Sequence, residues 1–218
     1  MDTNLELQTN LKESNKKVIY NIVKRGVDFV AACIGLFVLS PVFIIIAILI
    51  RADSKGPIIF GHTRVGKNGE KFKVYKFRSM VFNAKEVFDN FTKEQKEEFE
   101  KNFKLDNDPR ITKIGAFLRR TSLDELPQLF NIIKGDMSIV GPRPIVEKEI
   151  EKYGRDFGKV FGVKSGLTGY WQANGRSDTT YEERVKMDLY YVDNRSLLLD
   201  LKIILKTFIS VMKKEGAI

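Results

Sequence analysis

Ser122-Leu-Asp-Glu-Leu-Pro-Gln128 is the stretch on which the reading of this chain turns. Asp124 and Glu125 stand side by side, just after the basic pair Arg119-Arg120 and just before Leu126 to Lys134, which reads as a helix. Ser122 followed three residues later by Glu125 fits a capping box. A helix begun at Leu123 would need the missing amide of Pro127. One begun at Asp124 puts the proline in the first turn, where that loss costs little. In either register both carboxylates lie at the positive end of a helix, which favours their ionised form. An ionised, positioned carboxylate can serve as a nucleophile or a magnesium ligand. The competing reading is that the pair only caps the helix.

Composition narrows the chemistry. With 218 residues the chain can bury a core of its own, and one main domain with appendages is expected. The formal charge of +9, from 37 Lys+Arg against 28 Asp+Glu, calls for an anionic partner: nucleic acid, a phosphorylated substrate or an anionic membrane surface. A lone cysteine, Cys33, excludes an intrachain disulfide and a multi-cysteine zinc site. A lone histidine, His62, excludes a histidine metal cluster. A metal here is bound by carboxylates and waters, which points to magnesium or manganese.

Working outward, residues 1–23 form a polar arm without the apolar core of a secretory signal. Phe29 to Ile50 is an apolar run of 22 residues. As a helix it would measure about 33 Å, enough to cross a bilayer core. Ser40-Pro41 falls at its middle and both flanks are basic: Lys16, Lys17, Lys24 and Arg25 before it, Arg51 and Lys55 after it. A helix over 24–52, broken at Ser40-Pro41, that dips into one leaflet and returns satisfies both features, with Ser40 covering a backbone group freed by the proline. A kinked transmembrane helix is the alternative. Residues 53–218 form the remaining domain, on the side to which the helix returns.

In that domain Ile58–Phe60 and Phe72–Phe77 read as a hairpin around Gly66-Lys-Asn-Gly69. Arg78, before Ser79 at the strand end, is a candidate phosphate contact. Residues 83–103 are one or two surface helices carrying Phe88, Phe91, Phe99 and Phe103, and Ile111–Arg120 is a short basic helix. Arg143, between Pro142 and Pro144, sits on a stiff backbone suited to an anion. Trp171 and Arg176 share a glycine-rich loop that could stack on a base or pack the body. Thr180 and Glu183 can cap a helix from Tyr181. A final basic amphipathic helix carries Leu197, Leu201, Ile204, Leu205 and Phe208, and fits a membrane surface or the body equally well. No helix-turn-helix, zinc-finger or RNA-binding aromatic pattern is recognised, so no nucleic-acid partner is expected.

Taken in order, these pieces resemble the bacterial sugar transferases, the monotopic polyprenyl-phosphate phosphoglycosyl transferases. The motifs are the apolar run with Ser40-Pro41, Lys76-Phe-Arg-Ser-Met80, Asp108-Pro-Arg110, Arg119 through Leu129, and Gly141-Pro-Arg-Pro144. Thr168-Gly-Tyr-Trp-Gln172, Gly175-Arg-Ser-Asp178 and Tyr181-Glu-Glu-Arg184 are similar to the galactose or glucose phosphotransferase branch in its minimal catalytic form. The resemblance implies an α+β, mostly helical fold. Its parts are a re-entrant membrane helix, a small hairpin, and amphipathic interfacial helices around an Asp-Glu site. It implies transfer of hexose 1-phosphate from a UDP-sugar to undecaprenyl phosphate, with release of UMP. It assigns Asp124 as nucleophile, Glu125 as its assistant, and both as ligands of Mg2+. Arg78, Arg110, Arg119, Arg120, Arg143 and Arg176 become phosphate or nucleotide contacts. The expected setting is the cytoplasmic face of the bacterial inner membrane, among anionic lipids, as monomer or homodimer. A membrane-tethered nucleic-acid binder, a UDP-sugar hydrolase and a non-catalytic membrane adaptor are the rival functions.

Overall fold

The computed structural model describes residues 2–102, 105, 107–175 and 179–212. Helix α1, Asp2–Asp53, is followed by the antiparallel strands β1, Ile59–Val65, and β2, Lys71–Phe77. Helices α2, Ala84–Asp89, α3, Lys93–Asn102, and α4, Lys113–Arg120, lead to a 3-10 turn at Leu123–Glu125 and to α5, Gln128–Lys134. Strand β3, Ser138–Val140, is separated by the short helices α6, Ile150–Tyr153, and α7, Phe157–Val160, from β4, Gly166–Thr168. Then come α8, Tyr170–Asn174, α9, Tyr181–Asn194, and α10, Leu197–Met212. This is the mostly helical α+β fold expected, with two additions. β1 starts its ladder at Ile59 and runs on to Val65, and β3 pairs in parallel with β4, Ser138 opposite Gly166.

From Tyr20 to Asp53 one face of α1 is built into the body. Ala32, Leu36 and Leu39 pack with Leu129, Ile132 and Met137. Val42, Phe43, Ile46 and Ile50 pack with Phe77, Leu118 and Leu126. Burying side chains such as Ile132 and Leu118 contributes about 1.5–3 kcal/mol each. The charges of α1 are answered from the same side. Lys24 Nζ donates to Asp200 at 2.8 Å, and the Arg25 guanidinium donates to the last carbonyls of α5, Ile132 O at 2.6 Å and Ile133 O at 2.8 Å. Asp28 accepts from Ser138 Oγ at 2.7 Å and from Ile139 N at 3.2 Å. The opposite face leaves Val30, Ile34, Phe37, Val38, Ile45 and Ile48 exposed. α10 does the same with Leu198, Leu201, Leu205 and Phe208.

The expected break at Ser40-Pro41 is not an interruption of the helix: Pro41 lies inside a continuous α1. Pro41 cannot donate to Phe37 O, and Ser40 Oγ donates to that carbonyl instead, at 2.8 Å. The hydroxyl thus satisfies the group the proline orphans, as the sequence predicts, and helical backbone continues. The segment 2–23 is the first part of the same helix.

The Ser122–Glu125 capping box does not form. Ser122 is left-handed, φ 56°, its side chain caps nothing, and only its carbonyl accepts Glu125 N, at 3.2 Å. The box at Thr180–Glu183 does form. Gly135, φ 90°, ends α5 as its position past Lys134 predicts.

A candidate active site around Asp124 and Glu125

Two contacts hold the acidic turn in place. Asn131 of α5 is fully buried and completes the edge of β2: its Oδ1 accepts from Tyr75 N at 2.9 Å and its Nδ2 donates to Lys73 O at 2.7 Å. That fixes α5, and the turn before it, against the end of β2. On the other side, α4 approaches the strand end so closely that a Cβ on Gly115 would lie 2.0 Å from Ser79 O. Only glycine admits this contact. It brings Arg119 Nε within 2.9 Å of Ser79 Oγ, where the guanidinium acts on Asp124.

Lys76 is the centre of the arrangement. Its Nζ donates to Glu125 Oε1 at 2.6 Å and to Asp124 Oδ2 at 3.5 Å, so one ammonium bridges both carboxylates. The two acids respond in opposite directions. Burial raises Asp124 above the usual aspartate range, with neighbouring Glu125 adding to it, and Lys76 and Arg119 offset only part. For Glu125 burial also pushes upward, but Lys76, Arg143 and Arg64 outweigh it and hold the carboxyl below its usual value. Asp124 therefore departs from the sequence expectation that a helix terminus favours its ionised form: desolvation dominates. Divergent pKa values within one pair are a feature of sites that divide nucleophilic and acid–base roles.

The basic residues sort into two groups flanking the pair. Arg119 stands on the Asp124 side, Arg64 and Arg143 on the Glu125 side. Arg143 is exposed, with its guanidinium 6.0 Å from the Trp171 ring centroid, and Arg184 lies 4.7 Å from that ring. Lys76, Glu125, Arg64, Arg143, Gln128 and Gln172 share one cleft.

Two of the arginines expected at the site, Arg78 and Arg110, bond elsewhere. Arg78 turns to the C-terminal end of α1, donating to Ser54 O at 2.8 Å, to Ile50 O at 3.4 Å and to Lys55 O. It satisfies carbonyls that a helix end leaves open. Arg110 makes a buried bidentate pair with Asp108, 2.8 and 2.6 Å, and lies about 5 Å from the rings of Phe88, Phe91 and Phe99. Arg120 is exposed. Arg176 and Phe103 lie outside the described residues.

Lys76, Arg64, Gln128 and Gln172 escaped the sequence reading. For Lys76 a signal exists: it has the strand parity of Phe72 and Val74, so it is a lysine on the packed face of β2. In the register Arg64 opposes Phe72 and lies on that same face.

No group of three or more His, Cys, Asp and Glu suited to a metal occurs among the described residues. The acidic pair offers hard oxygen donors from two adjacent residues. That suits magnesium, which keeps waters and takes one or two carboxylates plus substrate phosphates, and does not suit an all-protein cage.

Two carboxylates bridged by lysine, with guanidinium groups on either side, offer donors of the kind that bind phosphate oxygens. The model of the family described as bacterial sugar transferase matches residues 19–214, and the chain belongs to that family. It is similar to the UDP-galactose-lipid carrier transferase of Erwinia amylovora, 45% identical over 98% of this chain and 44% of that protein. It is also similar to the undecaprenyl-phosphate galactose phosphotransferase of Salmonella typhimurium, 46% identical over 98% of this chain and 44% of that protein. The exopolysaccharide production protein ExoY of Rhizobium meliloti is 46% identical over 91% of this chain and 89% of its own length. The chain thus spans under half of the first two relatives and most of the third.

Proposed function

We propose that this protein transfers hexose 1-phosphate from a UDP-sugar to undecaprenyl phosphate, the first membrane step of surface-glycan assembly. The observation that carries the reading is the Lys76-bridged Asp124–Glu125 pair, with arginines on both flanks, in a chain of this family. Asp124 Oδ attacks the β-phosphorus; the bond from that phosphorus to the bridging oxygen breaks and UMP leaves. An oxygen of the lipid phosphate then attacks the same phosphorus and the Asp124 carboxylate departs, leaving a sugar diphospholipid. Lys76 holds both carboxylates in register and screens their mutual repulsion. Arg119, Arg64 and Arg143 neutralise charge spreading over phosphoryl oxygens. Glu125, kept ionised, accepts the proton of the incoming lipid phosphate. Magnesium, held by Asp124 and Glu125, would supply further charge neutralisation on the phosphoryl oxygens.

The geometry of α1 supports a setting at the membrane surface. From Lys17 to Asp53 it would extend about 55 Å, longer than a bilayer core is thick. Arg25 ties one end of the apolar run to the body and Arg78 ties the other. A straight crossing would drag that body into hydrocarbon. A helix dipping into the cytoplasmic leaflet of the inner membrane, with its exposed apolar face and that of α10 toward lipid, keeps the acidic pair at headgroup level.

The test is mass spectrometry of the protein mixed with UDP-sugar and magnesium but no lipid. A hexose-phosphate adduct on Asp124, absent in Asp124→Asn, is expected. Glu125→Gln should form it slowly, losing roughly 10²–10⁴-fold in turnover. An adduct on Glu125 would reverse the roles, and UMP release only in the presence of lipid would make the transfer direct.

A further inference from the structure

Two side-chain amides open into the cleft beside Glu125 with bonding capacity unused. Gln128 exposes 3% of its surface and its amide makes no hydrogen bond among the described residues. Gln172 Oε1 is buried without a partner, and its Nε2 reaches only to Leu167 O at 3.4 Å. Buried amides are nearly always bonded, and an unmatched one is costly. Gln172 Oε1 is sealed from solvent without a partner and the Gln128 amide beside it has no protein partner among the described residues, so a group from outside the protein can complete both.

We propose that this cleft is the subsite for the transferred hexose, with Gln128 and Gln172 hydrogen-bonding its ring hydroxyls. The inference rests on the UDP-sugar reading above and deepens it. An amide donates and accepts, as a hydroxyl does, whereas the guanidinium groups of Arg64 and Arg143 only donate and suit phosphate oxygens. Position selects the sugar over the base. Gln128 follows Glu125 by three residues through a 3-10 turn into α5, so its side chain neighbours the acidic pair. The hexose is one oxygen away from the phosphorus that Asp124 attacks. The uracil is separated from it by a second phosphate and a ribose. A site that hydrogen-bonds a hydroxyl strongly rejects the analogue lacking it, which makes the two glutamines determinants of donor choice.

Calorimetric titration of the full chain in micelles, with magnesium, separates the possibilities. The probes are glucose 1-phosphate, galactose 1-phosphate, their ring-deoxy analogues, and UMP. Gln128→Leu and Gln172→Leu should each weaken hexose 1-phosphate binding by about tenfold, one hydrogen bond, and leave UMP binding unchanged. In the unmodified protein at least one deoxy analogue should show the same loss, and a leucine variant should bind that analogue no worse. The deoxy series needs no variant to fold. Weakened UMP binding in the variants would assign the amides to the base and overturn the proposal. Unchanged hexose 1-phosphate binding, or indifference to every ring hydroxyl, would also overturn it. Failure of the donor reading looks different: hexose 1-phosphate binds with this dependence, yet no UDP-sugar yields UMP.

Discussion

Asp188 allows a prediction with a magnitude attached. It is fully buried on α9; its Oδ2 accepts from Tyr153 Oη at 3.0 Å and its Oδ1 has no partner. Burial raises its pKa from 3.8 to about 7, against the opposing hydrogen bond from Tyr153. The folded chain therefore holds this proton more firmly than the unfolded chain does. Between about pH 4 and 7 the folded state carries more protons, so stability falls as pH rises through that window and is flat on either side. Three pK units at 1.36 kcal/mol each give a total loss of roughly 4 kcal/mol. Asp188→Asn keeps the acceptor for Tyr153 and cannot ionise. Denaturant unfolding in micelles, followed by fluorescence of the single tryptophan, Trp171, at pH 4.5 to 8 measures both proteins. The stability difference, parent minus variant, should drop by several kcal/mol across the series, with the variant favoured at the alkaline end. His62, lowered by burial with Arg64 and Lys76 adding to it, titrates with the opposite sign and cancels in the difference. Profiles that stay parallel within about 0.5 kcal/mol would refute the assignment.

Lys76→Met removes the charge between the two carboxylates; kcat/KM should fall by about 10²-fold or more, and Lys76→Arg should recover part. A methionine variant retaining a tenth of the parent activity would deny Lys76 its central place. Gly115→Ala forces a Cβ against Ser79 O and should cost about 1–3 kcal/mol, with activity falling further because Arg119 hangs on Ser79. Gly158→Ala, with nothing within 4 Å, is the neutral control. If α1 dips and returns, Asn10→Cys in a Cys33→Ser background reacts with an impermeant maleimide only from the cytoplasmic side; periplasmic labelling would mean a full crossing.

What could be read from sequence was what local chemistry decides. The Gly66-Lys-Asn-Gly69 turn, the Gly135 stop and the Thr180–Glu183 box involve neighbours in the chain, and each is where residue type places it. Ser122 failed as a cap because the turn out of α4 requires φ 56° there, a demand set by how α4 and α5 both meet β2. Arg78 and Ser79 are adjacent just past the end of β2, yet one side chain reaches α1 and the other Arg119, so the hydroxyl serves the site and the arginine does not. The resemblance implies a phosphate role for Arg110, and nothing local in the sequence reveals that Phe88, Phe91 and Phe99 surround it. The β3–β4 pair joins three-residue strands 28 positions apart, too short to announce themselves by alternation.

The charges of α1 have a consequence for how the protein is made. Lys24, Arg25 and Asp28 leave the ribosome early, but their partners lie 176, 107 and 110 residues downstream. Until Ser138 and Ile139 are synthesised Asp28 lacks the donors it accepts from, and until Asp200 appears Lys24 lacks its 2.8 Å partner. The nascent helix is thus amphiphilic along its length: an apolar half ready to partition, and a charged half that keeps its start in water. Seating of that charged half must wait for α10, making completion of the fold around α1 a late event of biosynthesis. Ribosome-stalled chains ending before residue 200 should leave Lys24 open to amine-reactive reagents, and full-length chains should protect it. Equal reactivity in both would separate insertion from completion of the fold.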